Sequence, residues 1–145
     1  MKKQQMAEKL KPLLADTYTL YLKTQNYHWN VVGKNFFSLH LLFEQHYRAL
    51  AEAVDEIAER IRELGEKAPG SYTEFAQLTS QSEAKAGNAE EMILDLQTSH
   101  EKMSLSLHDL FEAAKTFNDE STQDLLVKRL EHHEKAAWML KAHLG

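Results

Sequence analysis

One stretch of this chain leaves little choice of fold. Between Phe36 and Leu64 there is neither Gly nor Pro, and Phe43, Tyr47, Leu50, Val54, Ile57, Ile61 and Leu64 follow one another in steps of four and three. A strand would show apolar residues at every second position; steps of four and three keep side chains on one face of an α-helix. The result is a long helix with one continuous buried stripe. Gly65 ends it, and Pro69-Gly70 follow soon after, as helix stop signals predict.

The rest of the chain has the same character. From about Gln5 to Asn30, Met6, Leu10, Leu13, Leu14, Tyr18, Tyr21 and Leu22 have helical spacing, with Pro12 marking a start or a bend. Gly33 makes a turn into the second helix. A long connection, Gly65 to Gly87, holds Tyr72, Phe75, Ala76 and Leu78, which suit a short amphipathic helix. A third long helix covers roughly Asn88 to Phe117, with Ile93, Leu96, Met103, Leu107, Leu110 and Ala114 on one face. After the turn Asn118-Asp119-Glu120-Ser121, rich in N-cap residues, a fourth runs to about Leu144, with Leu126, Leu130, Ala137, Leu140 and Leu144 inside. The expected fold is all-α: a ferritin-like four-helix bundle with one long crossover and a short extra helix within it. A length of 145 residues allows one domain, 1–145, with a short N-terminal tail of about 1–5.

Composition narrows the function. Without Cys there is no disulfide, thiolate chemistry or Cys-based zinc site. No signal-like segment opens the chain and no long apolar run could span a membrane, so a cytoplasmic protein is expected. The net charge of −5 argues against nucleic-acid binding by the folded body. Eight His in so short a chain point instead to metal.

The second helix carries the candidates. His40, Glu44, Asp55 and Glu59 mix imidazole with carboxylate, as iron sites do. At 100° per residue they lie at about 0°, 40°, 60° and 100° around the helix, with the apolar stripe about 110° from the middle of that fan. They flank the core and do not point into it. His40 and Asp55 are also roughly 22 Å apart along the helix, too far for one ion to touch both. Two such helices paired antiparallel about a two-fold axis between Tyr47 and Leu50 bring His40 and Glu44 of one chain level with Asp55 and Glu59 of the other. Ala49, Ala51 and Ala53 near the crossing permit close approach, and the Gly33 turn lets His28 fold back beside His40. A plainer reading stands beside this one. Glu52, Asp55, Glu56 and Glu59 alternate with Arg60 and Arg62 as a solvated, salt-bridging face does. No Glu has a His three residues later, which excludes a ferritin-type iron centre inside one bundle.

These residues resemble a known pattern. The run His28-Trp29-Asn30-Val31-Val32-Gly33-Lys34-Asn35-Phe36-Phe37-Ser38-Leu39-His40, with Phe43-Glu44 and Asp55-Glu56-Ile57-Ala58-Glu59-Arg60, is similar to the signature of the Dps mini-ferritins (DNA-binding proteins from starved cells). The resemblance extends to Trp138-Met139-Leu140. It implies a hollow shell of twelve subunits that oxidises Fe(II) at two-fold interfaces, with hydrogen peroxide or oxygen, and stores the ferric product, protecting cell and DNA from oxidative damage. His28, His40, Asp55 and Glu59 would then be the ferroxidase residues, and Glu44 would help hold the second ion of a two-iron site. Trp29 would stand beside that site, as a trap for stray oxidising equivalents or as packing. Asp119, Glu120 and Asp124 would line an iron entry pore; stabilising the helix dipole is a sufficient structural reason for them. DNA compaction, with iron oxidation secondary, is the alternative function the family offers. Lys2 and Lys3, with Lys9 and Lys11, are its only basic tail. His100 and His133 sit on apolar stripes and are expected to be satisfied core histidines. Trp138 is expected in the core or an interface. His46, His108, His132 and His143 have no informative spacing.

Overall fold

A computed structural model describes Lys2 to Gly145. It contains five helices: α1 (Lys2–Asn30), α2 (Phe36–Glu63), α3 (Tyr72–Leu78), α4 (Ala89–Thr116) and α5 (Glu120–Ala142). The four long ones form the bundle, with α1 paired to α2 and α4 to α5, while short α3 lies in the crossover against α1. The described residues include no strand. The expected tail is not free: α1 is already helical at Lys2 and runs through Pro12. Residues 2–5 are exposed, but Met6, Ala7 and Leu10 are fully buried, so the first turn is anchored from its inner face.

The α2 stripe lies where its period puts it. Phe43, Leu50, Ile57, Ile61 and Leu64 are buried, while Tyr47 and Val54 are half-buried at its edge. The five buried residues, with Val54 against them, pack with Leu10, Leu14, Leu20, Leu96, Met103, Leu107, Leu126 and Leu140 into one core. On α5 the inner face is shifted from expectation: Ala136 is buried, Leu130 and Ala137 only partly so, and Leu144 lies past the helix end, exposed.

Backbone chemistry ends the helices cleanly. Gly65, at φ 99°, lets its own amide reach the Arg62 carbonyl (2.9 Å) and the Glu66 amide reach that of Ile61 (3.2 Å). This left-handed cap satisfies carbonyls that the end of α2 would leave bare. Asn118, at φ 56°, does the same for α4, its amide bonding Lys115 and that of Asp119 bonding Ala114. Asp119 then caps α5 by accepting the Thr122 amide. Asn88 and Glu91 form a reciprocal capping box at the start of α4.

Three buried polar groups pin the crossover, which has too few apolar residues to hold itself down. Asp16 accepts from the Thr79 hydroxyl and the Ser80 amide, both at 2.7 Å. Lys23 donates to Ser99, Ser82 and Asp95. Burial pulls its ammonium below the usual pKa, and Asp95 pulls it back up. Tyr27 donates to Asp95 and accepts from the amides of Lys85 and Ala86.

Candidate metal centre

His28 ends α1 and His40 opens the second turn of α2; the Gly33 bend, at φ 118°, folds one onto the other. Their rings stack at 3.8 Å between centroids, 14° from parallel. Each ring's Nδ1 lies 2.7 Å from the backbone carbonyl of the other histidine. A carbonyl can only accept, so both Nδ1 atoms carry protons and donate. With Nδ1 committed in this way, Nε2 is the nitrogen each ring has left for a metal, the arrangement metal-binding histidines need. Phe36 stacks on His40 from outside and Tyr47 meets His28 edge-on, fixing both planes.

Glu44 completes the group. One ligand atom from each of His28, His40 and Glu44 lies within 4.8 Å of the others. Among the described residues no other group of three or more His, Asp and Glu meets that condition. Arg48 holds the carboxylate through Nε at 2.9 Å and is the main reason its pKa lies below the ordinary range, with His28 and His40 contributing. The charged carboxylate is thus present at neutral pH, one oxygen bound to Arg48.

Asp55 and Glu59 do not join this group within the chain. Both are exposed, Asp55 about four and three turns of α2 away from His40 and Glu44, and Glu59 about five and four. Neither makes an ion pair among the described residues. Arg60 is engaged with Asp119 (2.8 Å) and Glu63 (3.1 Å), and Arg62 donates to the Glu66 carbonyl. Around His28 and His40 the surface is unusually apolar: Trp29 is 59% exposed, Phe37 71% and Leu41 42%.

The remaining predicted positions divide. Asp119 is consumed structurally. Burial would raise its pKa, but the Thr122 hydroxyl and amide and the Arg60 guanidinium outweigh it and hold the carboxyl below its usual value. Glu120 and Asp124 stay exposed, Asp124 paired with Lys128. Trp138, 66% exposed, lies outside the chain's own core. His100 and His133 are buried as expected; His133 is satisfied at both ring nitrogens, by His100 and Arg129, while His100 Nε2 has no partner among the described residues. Through His100 the pair also meets His46, whose sequence spacing is uninformative. No local signal could have revealed that meeting, because the three lie on three different helices.

With this geometry in view, the ferritin-like domain profile matches residues 7–145, and the bundle with its carboxylate–histidine surface defines that class. The chain is 42% identical over 134 residues to a low temperature-induced protein of Nostoc, covering 90% of this chain and 75% of that one. It is 39% identical over 143 residues to "DNA protection during starvation protein 2" of Bacillus anthracis, covering 98% of both. The crystal structure of a Dps protein from Vibrio cholerae, described as a member of a superfamily of ferritin-like diiron-carboxylate proteins, superposes with a TM-score of 0.95 at 32% identity, covering 99% of this chain and 91% of that one. This chain belongs to the Dps family of the ferritin-like superfamily. Among the described residues no helix is long and apolar enough to cross a membrane.

Proposed function

We propose that the protein oxidises ferrous iron at sites shared between two subunits and stores the ferric product in a closed shell of twelve. The observation that carries this reading is the half-built site. His28 and His40 hold their Nε2 atoms ready beside Glu44, while Asp55 and Glu59 wait on the same helix, out of their reach. Antiparallel pairing of α2 with a second copy would unite the halves twice, once at each end of the pair. It would also cover Trp29, Phe37 and Leu41, whose exposure is otherwise costly.

Each residue type has its task. Two neutral imidazoles and a few carboxylates bind Fe(II) without saturating it, which leaves room for an oxidant, and the added negative charge favours the ferric state. A peroxide molecule accepts one electron from each of two ferrous ions, its O–O bond breaks, and water supplies the remaining oxygen of the ferric oxyhydroxide while protons are released. Consuming peroxide and Fe(II) together removes both reagents of hydroxyl-radical formation, the protective function this family membership supports. Trp29, next to His28, stands where a stray oxidising equivalent would emerge. Iron would enter past Glu120 and Asp124, since Asp119 is already committed to Arg60 and Thr122. DNA compaction takes a secondary place: Lys2 and Lys3 stand on the first turn of α1 and not on a free tail.

Anaerobic titration with Fe(II), followed by separate additions of oxygen and hydrogen peroxide, tests the reading. Ferric absorbance should develop, faster with one oxidant than the other, and should vanish when His28, His40, Asp55 and Glu59 are replaced. Absence of ferric absorbance with either oxidant contradicts it.

A further inference from the structure

Away from the α1–α2 surface, the side chains with the most unspent hydrogen-bonding capacity lie inside the bundle. His46 comes from α2, His100 from α4, and Arg129 and His133 from α5. They are 9%, 2%, 5% and 1% exposed. Rings of His46 and His100 meet edge-on at 5.8 Å, and those of His100 and His133 lie 5.0 Å apart.

The bonds among them have a direction. Arg129 Nη2 can only donate, so His133 Nε2, 3.3 Å away, accepts. A neutral imidazole that accepts at Nε2 carries its proton on Nδ1, and here that proton points to His100 Nδ1 at 2.8 Å. His100 must then carry its own proton on Nε2. That N–H has no partner among the described residues, nor has the Nε–H of Arg129, nor Nδ1 of His46. Buried donors are almost always met, so each unmet one calls for an explanation. Burial, the largest effect on each, keeps His46 down at about 4 and His100 at about 3, so Arg129 is the charged member. Burial also lowers Arg129 to about 10, with Glu56 pulling the other way, and it stays protonated at neutral pH.

Space exists for an acceptor. A cavity of about 190 Å³ is lined by His46, His100, Arg129 and His133, and exposed His132 and Lys135 on its wall open it to the surface. On the same measure one water needs only about 10–15 Å³. The sign of the occupant follows from the walls. Arg129 has no carboxylate within ion-pair distance among the described residues, and Lys135 adds a second positive charge at the mouth. A metal cation would sit against the guanidinium with no carboxylate to hold it, and these ring nitrogens do not converge as the ligand atoms of His28, His40 and Glu44 do.

We propose that the cavity between α2, α4 and α5 binds a small tetrahedral oxyanion of the phosphate class, accepted by Arg129 Nε–H and His100 Nε2–H with His46 beside them. Oxygens on several sides suit donors that approach from different helices, whereas a halide would leave most of the volume empty. The bound ion would tie α2 to the α4–α5 pair. The site is independent of the iron site, and its test uses iron-free protein so that a ferric mineral cannot trap the ligand.

Equilibrium dialysis of radiolabelled inorganic phosphate against the assembled, iron-free protein should show one saturable site per chain. Sulfate should compete; chloride at equal ionic strength should not. Arg129→Met should weaken binding at least about tenfold, Arg129→Lys less, and His40→Ala should leave it intact. Should Arg129→Met fail to assemble, crystals of the unaltered protein soaked in selenate decide, by anomalous density between Arg129 and His100. The proposal is overturned by no saturable binding, by equal competition from chloride, by undiminished binding in Arg129→Met, or by a cavity that holds only water.

Discussion

The molecule contains two histidine clusters, and they spend the same side chain in opposite ways. At the α1–α2 surface, His28 and His40 give their Nδ1 protons to each other's backbone carbonyls and have Nε2 left for a metal beside a carboxylate. Inside the bundle, His133 accepts from Arg129 and passes its proton to His100, so the series ends on a donor beside a positive charge. On the reading proposed above, backbone acceptors suit the first cluster to cations and an arginine suits the second to anions. The partner at the far nitrogen, not the histidine, decides which kind of ligand fits.

The sharpest way to break this comparison is to disable the proposed iron site and leave the second cluster untouched. His28→Ala with His40→Ala should slow Fe(II) oxidation at least about a hundredfold in stopped-flow absorbance, and Asp55→Ala with Glu59→Ala should do the same. Phosphate binding should be unchanged in both. Loss of phosphate binding there would mean that the clusters are not separate.

Acid should strike the second cluster. Burial, the dominant effect on both, lowers His100 to about 3 and His133 well below its ordinary value. Both stay neutral in the folded chain but take protons in the unfolded one below about pH 6.5. Their contribution to stability is therefore complete above pH 6.5 and falls as pH drops from there toward 3. The loss is up to about 1.4 kcal/mol per pH unit for each histidine. Denaturant melts in phosphate-free buffer at pH 7.5 and pH 5 should show it. His100→Gln with His133→Gln should flatten the slope, and an unchanged slope would place the acid sensitivity elsewhere.

Smaller effects sharpen the picture. Glu44→Gln should slow iron oxidation by about tenfold, less than loss of the histidines, because the carboxylate shares its charge with Arg48. Asp119→Ala should cost roughly 1–2 kcal/mol through the lost α5 cap, read as a melting point lower by a few degrees. Iron uptake should hardly change, as befits a residue turned toward Arg60; a large loss of uptake would return Asp119 to the pore.

What could be read in advance depended on sequence distance. The α2 stripe and the Gly65 and Asn118 ends are local and periodic, and the folded chain keeps them within a residue or two. The His28–His40–Glu44 meeting was legible because a single glycine turn joins its two helices. The His46–His100–His133 meeting was not, since His100 and His133 are 33 positions apart and no repeating pattern links them. The pins that hold the crossover, Asp16, Lys23 and Tyr27, were hidden for the same reason: their partners lie 58 to 76 positions away. The start of α1 departs from expectation because lysines and glutamines suggest a tail, while buried Met6 and Leu10 one to two turns on hold them in a helix.

The claim that matters most is that neither subunit holds a whole iron site, and mixing two disabled chains tests it directly. One chain lacks its histidines (His28→Ala, His40→Ala), the other its acids (Asp55→Ala, Glu59→Ala), and each assembled alone should be inactive. Co-assembled at random, half the pairs are mixed, and each mixed pair carries one fully intact site, so about a quarter of the unaltered oxidation rate should return. A mixture no more active than its separate components, or appreciable activity in either component alone, would contradict a shared site.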